Sequence, residues 1–160
     1  TGSNEHTCLL PTASVIIPDR IAAKEARCLV DTGAQENFVT NELAKRLRLH
    51  GTKIKEGFVA GGQGLTTLGK TTFRIQSTCD SSNSFKIQAY ILDTIPSELS
   101  HQEIDISTFD HLKNIELADM SYNKPAKIYI LLGVTVVARI LRDRKARIGH
   151  RGSPNAYYTD

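Results

Sequence analysis

The feature that most constrains this chain is a single Asp-Thr-Gly triplet, Asp31-Thr32-Gly33, placed directly after a short apolar segment. That segment, Cys28-Leu29-Val30, ends a predicted strand over residues 26–30, so the triplet begins where the strand ends. Asp-Thr-Gly in this place fits a simple turn, and it also fits a loop that holds a carboxylate rigidly. Such a loop needs small residues after the carboxylate so that a second backbone can approach, and Gly33 and Ala34 meet that need. The sequence therefore predicts a strand that presents Asp31 at a close contact.

A carboxylate held in this way suits hydrolysis of peptide bonds when it is paired with a second one. Two carboxyl groups a few ångströms apart cannot both ionise, so they share one proton. The ionised partner deprotonates a water that attacks the peptide carbonyl, while the protonated partner donates to the carbonyl oxygen. A two-lobed enzyme would need two such loops, and this chain has one Asp-Thr-Gly. We therefore predict a homodimer in which each copy contributes Asp31, with Thr32, Gly33 and Ala34 forming the active-site loop.

A second segment is consistent with that interpretation because it is rich in glycine. Three of the four residues from Gly61 to Gly64 are glycines, which marks a tight hairpin tip. The segment fits a flap that closes over a substrate and excludes water, and it equally fits an ordinary hairpin. The residues predicted for the flap and for substrate binding are Ala60, Gly61, Gly62, Gln63 and Gly64.

A third segment, Leu131-Leu132-Gly133, ends an apolar run. We predict that it packs beside the loop of Asp31 and supports it. The triplet is common by itself, so the order and spacing of all three segments carry the prediction.

The remaining pattern predicts one mainly β domain with one or two short helices. A helix over residues 42–49 is expected to begin after the cap Thr40-Asn41, to pair Glu42 with Arg46, and to end at Gly51. In the strand 85–92, odd-numbered residues are expected to face inward, and Lys86, Gln88 and Tyr90 outward. Residues 134–141 fit a strand or a short helix. Other extended segments are predicted at 8–17, 54–60, 65–75, 115–120 and 128–132.

Composition excludes several classes of protein. The 160 residues are 40% hydrophobic and 23% charged, which is typical of one soluble domain, and no apolar run is long enough to span a membrane. Cys8, Cys28 and Cys79 are widely spaced, so we expect free thiols and a cytoplasmic protein, with a disulfide as the less favoured alternative. The five scattered histidines predict no metal site, and we expect no cofactor.

The end of the chain is basic. Six arginine and lysine residues lie between 139 and 151, against only Asp143. They fit a nucleic-acid contact or a solvated tail, and the absence of interleaved aromatic residues favours the tail. We therefore expect a domain over residues 8–142, a basic tail over 143–160, and an N-terminal extension or cloning remnant over 1–7. We also expect that the chain was cut from a longer polyprotein.

Several of these segments carry a family resemblance. The segments 10–13, 26–39, 43–47, 117–119, 123–125, 128–133 and 138–141 resemble the retropepsin-like peptidase of Bel/Pao-type LTR retrotransposons. The resemblance implies a closed, dimeric β-barrel acid protease that needs no metal or cofactor and cleaves an extended peptide within a Gag-Pol polyprotein. It also implies that Asp31 is catalytic, that the Thr32 hydroxyl bonds across the dimer, and that Gly33 lines the cleft.

Three positions depart from the pattern of that family. Tyr129 and Thr135 stand where such proteins usually have acidic residues, and Ala126 stands where many have glycine. None of them is the catalytic carboxylate, but they concern the support of its loop. The alternative function is therefore a catalytically inactive, domesticated module for dimerisation or peptide binding.

Overall fold

The computed structural model describes residues 11–19, 21–53, 57–60, 63–95, 106–107, 109–141 and 159. Within these residues, short strands dominate and helices are few. In chain order the elements are β1 (Thr12–Ile17), β2 (Lys24–Val30), β3 (Phe38–Thr40), α1 (Asn41–Arg46), β4 (Gly51–Thr52), β5 (Gly57–Ala60), β6 (Gln63–Thr66), β7 (Gly69–Ser77), β8 (Ser84–Leu92), a 3-10 turn (Asp110–Leu112), β9 (Ile130–Leu132) and α2 (Val134–Ile140).

The sheet closes on itself. Its strands follow the order β1-β2-β9-β3-β8-β7, and β7 also pairs with β1 through Val15 opposite Ser77 and Ile16 opposite Gln76. The described residues thus form a closed barrel of six strands, with β4 added along β7. The prediction of a mainly β closed barrel with one or two short helices is confirmed.

Two apolar clusters fill the fold, and they meet at β2 and β9. The larger cluster holds Cys28 and Ile130, whereas the smaller one holds their chain neighbours Leu29 and Leu131. Because successive side chains of a strand point to opposite faces, both strands are buried on both faces. The chain is therefore enclosed on both faces at Cys28 and Leu29, shortly before it reaches Asp31.

Helix α1 begins as predicted and ends earlier than predicted. The Thr40 hydroxyl accepts a hydrogen bond from the Leu43 amide, which caps the helix. The last helical residue is Arg46, and Arg48 turns the chain with a positive φ of 51°. Gly51 therefore does not end the helix and instead begins β4.

Three further predictions were wrong, and for residues 134–141 the structure decides between strand and helix. Residues 65–75 are two strands, β6 and β7, separated by Thr67 and Leu68. Tyr90 is buried, at 6% exposure, because it packs into the smaller cluster on the face opposite Ala89. Residues 115–120 form turns without a strand, and 134–140 take the helical alternative.

Parts of other predictions lie outside the described residues. These parts are residues 8–10 of the predicted strand 8–17, residues 54–56 of the predicted strand 54–60, and nearly all of the basic tail. Thr159 forms an isolated antiparallel bridge with Leu141, just after α2. Neither helix in the described part is long and apolar enough to cross a membrane.

Candidate active site

Asp31 lies in a tight loop at the end of β2. Its amide donates to the Leu132 carbonyl over 2.9 Å, and its Oδ1 accepts a hydrogen bond from the Gly33 amide at 2.8 Å. A side chain on Gly33 would place its Cβ 3.2 Å from that same Oδ1, which is closer than ordinary contact. Asp31 is half-buried, whereas Thr32 and Gly33 are exposed. The loop thus orients one carboxylate oxygen and leaves its own outer edge accessible to another molecule.

The segment predicted to support the loop lies directly against it. Leu132 accepts from the Asp31 amide, and the Val134 amide donates to the Ala34 carbonyl at 2.8 Å. Between these two bonds, a Cβ on Gly133 would lie 2.5 Å from the Glu36 oxygen and 2.8 Å from the Ala34 oxygen. Only glycine allows the two backbones to approach this closely. Leu132, Gly133 and Val134 therefore lie directly against the loop of Asp31.

Sequence analysis missed Asn37, which connects the loop to two strands. Its Oδ1 accepts a hydrogen bond from the Gly133 amide at 2.8 Å, and its Nδ2 donates to the Gln88 carbonyl at 3.0 Å. Its own carbonyl accepts from the Tyr90 amide at 2.9 Å, and the residue is only 7% exposed. The partners lie far away along the chain. The only available signal was a polar residue between the loop and an apolar strand.

The smaller apolar cluster forms a floor beside the loop. Leu29 and Leu131 belong to it, and Ala34 packs against it from the loop. On the same cluster, the rings of Phe38 and Tyr90 have centroids 6.2 Å apart. An apolar floor of this kind lowers the local dielectric, which strengthens hydrogen bonds made by a neighbouring carboxylate.

The predicted flap is a hairpin formed by β5 and β6. Its last described pair is Ala60 opposite Gln63, and Gly64 is exposed with open space where a side chain would lie. Gly61 and Gly62, the predicted tip, lie outside the described residues. Among those that the structure describes, the two strands pair only with each other.

The base of this hairpin is fixed to the barrel at Thr67 and Leu68. The Leu68 amide donates to the Ile91 carbonyl at 2.8 Å, and the buried Thr67 hydroxyl lies 3.1 Å from the same oxygen. That hydroxyl also accepts from the Gly69 amide at 3.1 Å. The base of the hairpin is therefore held to β8 of the barrel by hydrogen bonds.

Tyr129, Thr135 and Ala126, the positions that depart from the family pattern, have surroundings of their own. The Tyr129 ring lies 5.8 Å from the Arg46 guanidinium and 5.3 Å from the Lys127 ammonium, on the side of α1. Thr135 and Ala126 are exposed. Lys127 also hydrogen-bonds Glu42, and this bond is the main reason that the pKa of Glu42 is lowered.

Groups suited to other chemistry are few in the described part of the chain. There, no three His, Cys, Asp or Glu side chains lie close enough together to hold a metal ion. Cys28 and Cys79 are free, so they form no disulfide with each other, and Cys8 lies outside the described residues. Burial raises the pKa of the Cys28 thiol. Of the six basic residues near the C-terminus, Arg139 is described and lies over the Phe85 ring at 4.1 Å.

Comparison with known proteins identifies a family and solved structures similar to this chain. A family model described as aspartyl protease matches residues 17–136, which is more than half of the chain. EIAV protease complexed with the inhibitor HBY-793 is 19% identical, with 87% of this chain and 93% of that chain covered and a TM-score of 0.49. The retroviral protease-like domain of Ddi1 from Leishmania major is 9% identical, with 96% and 95% covered and a TM-score of 0.46. No curated protein matches the chain.

Proposed function

The chain belongs to the aspartyl protease family, and we propose that it is an aspartic endopeptidase whose active site forms between two copies of the chain. The observation that carries this proposal is the loop of Asp31. Its inner side is fixed by hydrogen bonds to Leu132 and Val134, while Thr32 and Gly33 remain exposed at its outer edge. Each chain has one such loop, so the second carboxylate comes from a second copy related by two-fold symmetry.

In the assembled site, the two Asp31 carboxyl groups hold one proton between them. The ionised carboxylate takes a proton from a water, and the water oxygen bonds to the carbonyl carbon of the substrate. The other carboxyl donates its proton to the carbonyl oxygen, which gives a neutral tetrahedral intermediate. The carboxyl that took the proton from the water then donates it to the amide nitrogen, while the other carboxylate takes a proton from a hydroxyl of the intermediate. The C–N bond breaks and releases an acid and an amine, and the pair again holds one proton. In this proposal the hydroxyl of Thr32, a residue at the exposed edge of the loop, hydrogen-bonds across the dimer and keeps the two loops aligned.

The substrate is an extended peptide bound between the β5–β6 hairpin and the apolar floor. Main-chain hydrogen bonds to a hairpin strand suit such a peptide, and closure of the hairpin keeps bulk water from the reacting bond. The resemblance to Bel/Pao-type peptidases supports a Gag-Pol polyprotein as the substrate. The free thiols of Cys28 and Cys79 favour a reducing compartment such as the cytoplasm.

The test compares the wild-type chain with Asp31→Asn on a denatured protein mixture. Cleavage is followed from about pH 4 to pH 7, with and without a statine-type inhibitor. Asn has the shape of Asp but cannot supply the carboxylate, so we expect no cleavage while the mass in solution remains that of a dimer. The matched control is Asp93→Asn, which makes the same change at an exposed residue immediately after β8.

Two results would contradict the proposal. Normal cleavage by Asp31→Asn would remove Asp31 from the chemistry. A dimeric wild-type chain that gives no inhibitor-sensitive cleavage would support the inactive dimerisation or peptide-binding module instead.

A further inference from the structure

Asn37 lies between the loop of Asp31, strand β8 and the end of β9. It is buried, and both polar atoms of its side chain are hydrogen-bonded to backbone groups, at Gly133 and Gln88. Its backbone carbonyl bonds Tyr90 on β8 as well. A buried side chain whose hydrogen-bond partners are all main-chain groups fixes the position of the backbone. The reason is that a main-chain group, unlike a side chain, cannot rotate to keep the bond when the backbone shifts.

The residue that Asn37 holds is the centre of the contact with the loop. Gly133 stands between Leu132, which bonds Asp31, and Val134, which bonds Ala34. The Gly133 amide cannot serve as a third bond to the loop, because it is directed to the Asn37 side chain instead. A shift of Gly133 would therefore move both loop contacts together. Its close approach to the Glu36 and Ala34 oxygens leaves little room for such a shift while Asn37 is in place.

We propose that Asn37 is a positioning residue, which sets the place of the Asp31 carboxylate by fixing Gly133 against the loop. The proposal rests on the proposed function, in which each carboxylate has to be held within about 0.5 Å of its productive position. Asn37 touches no reacting group. Its effect passes through Gly133 and then through the two backbone bonds on either side.

The test uses Asn37→Leu in the full dimeric chain, which removes both side-chain hydrogen bonds. A misplacement of about 1 Å costs on the order of 100-fold in rate, so we expect kcat to fall by about that factor. KM should stay within about threefold, because the floor and the hairpin are unchanged. Thr71→Val is the matched control, since it removes a buried hydrogen bond, from the Thr71 hydroxyl to the His50 carbonyl, on β7.

The variant Asn37→Asp provides a conservative rescue. While its carboxyl is protonated, it donates to the Gln88 oxygen and accepts from the Gly133 amide, as Asn does. When the carboxyl ionises, its second oxygen faces the Gln88 oxygen and the contact is repulsive. Activity should therefore be retained in acid and be lost at a lower pH than in the wild type. Circular dichroism over the same pH range must show that the variant is still folded where its activity is lost, because ionisation of a buried carboxyl also lowers stability.

Amide hydrogen exchange supplies a measurement that does not depend on hydrolysis. We expect the amides of Asp31, Gly133 and Val134 to exchange at least about tenfold faster in Asn37→Leu and at the wild-type rate in Thr71→Val. If Asn37→Leu does not fold, Asn37→Ala makes the same test without added volume. A wild-type kcat in the folded variant, or unchanged exchange at Gly133, would overturn the proposal. Absence of cleavage by the wild type would reject the proposed function, and the exchange rates would still decide the role of Asn37.

Discussion

The Arg27 guanidinium and the Asp119 carboxylate form an ion pair inside the protein, with Nε and Oδ2 2.6 Å apart and both side chains less than a tenth exposed. The other guanidinium nitrogens donate to the Lys124 and Ser121 carbonyls at 2.7 Å and 2.9 Å. Asp119 in turn accepts from the Thr12 hydroxyl at 2.6 Å. The irregular segment 119–124 is thus fastened to β2 through Arg27 and to β1 through Thr12.

Loss of either partner of this ion pair should destabilise the fold strongly. Asp119→Ala leaves the Arg27 charge buried without its carboxylate, which typically costs about 3–5 kcal/mol of unfolding free energy. The double variant Arg27→Met with Asp119→Leu should lose less, because no charge stays buried. Denaturant unfolding measures both. Arg74→Gln, at an exposed arginine that bonds Ser84, is the control and should change the free energy little. Equal losses in Arg74→Gln and Asp119→Ala would contradict the prediction.

Replacement of Gly133 by alanine should disturb both stability and catalysis. The added Cβ meets two backbone oxygens, which cannot rotate away, so we expect a loss of about 1–3 kcal/mol in unfolding free energy. Because the loop of Asp31 must move to relieve the contact, peptide cleavage should fall further than the folded fraction does. Thermal unfolding and a cleavage assay on the same sample separate the two effects.

Gly64→Ala is the matched control for that substitution. Its Cβ would meet nothing within 4 Å, so the melting temperature should stay close to that of the wild type. Similar melting temperatures for the Gly133 and Gly64 variants would show that the close approach at Gly133 is not a steric requirement.

The fold was predictable from the sequence where a strand buries only one face, because apolar and polar residues then alternate. Residues 84–92 form the predicted strand because Ile87 and Ala89 alternate with polar neighbours. The prediction for Tyr90 was wrong because the smaller cluster buries the other face there, and alternation along one strand does not reveal a second packing partner. The break at Thr67 was missed for a related reason. Threonine favours strands, but this hydroxyl bonds the Gly69 amide and ends β6 locally.

The candidate site was predictable only in part. Asp31 stood out because three adjacent residues, 31–33, carry its signal. Asn37 did not, because its bonds reach Gln88 and Gly133, which are 51 and 96 residues away along the chain. A single buried amide has no local pattern, and only the folded chain shows which backbone groups it meets.

The two described cysteines should differ sharply in reactivity. Cys79 is exposed, whereas Cys28 is fully buried in the barrel and burial raises the pKa of its thiol. Since the thiolate is the nucleophile, iodoacetamide should label Cys79 in native buffer and leave Cys28 unmodified. Peptide mass spectrometry measures both sites, and a sample unfolded in guanidinium should show equal labelling. Rapid native labelling of Cys28 would mean that β2 opens readily, contrary to its burial on both faces.

The ion pair of Glu42 and Lys127 should contribute to stability in a pH-dependent way. Their hydrogen bond lowers the pKa of Glu42 from its ordinary value of 4.5, so the folded state binds that proton less tightly than the unfolded chain. The contribution is therefore fully present above pH 4.5 and is lost as the pH falls through the lowered value. The melting temperature of the wild type should exceed that of Glu42→Gln at neutral pH, and the difference should disappear in acid. Because both side chains are about half exposed, about 1 M salt should also reduce it.

The control for this last experiment is Glu116→Gln, which removes the same charge from an exposed position in the irregular segment. Differential scanning calorimetry at several pH values gives the melting temperature of each variant. The two variants carry the same net charge, so any difference between them reports the local partners of Glu42 rather than the overall charge of the protein. A gap between the wild type and Glu42→Gln that persists or widens in acid would contradict the assigned hydrogen bond. Because Lys127 also lies over the Tyr129 ring, that outcome would also call into question the contact between Lys127 and Tyr129.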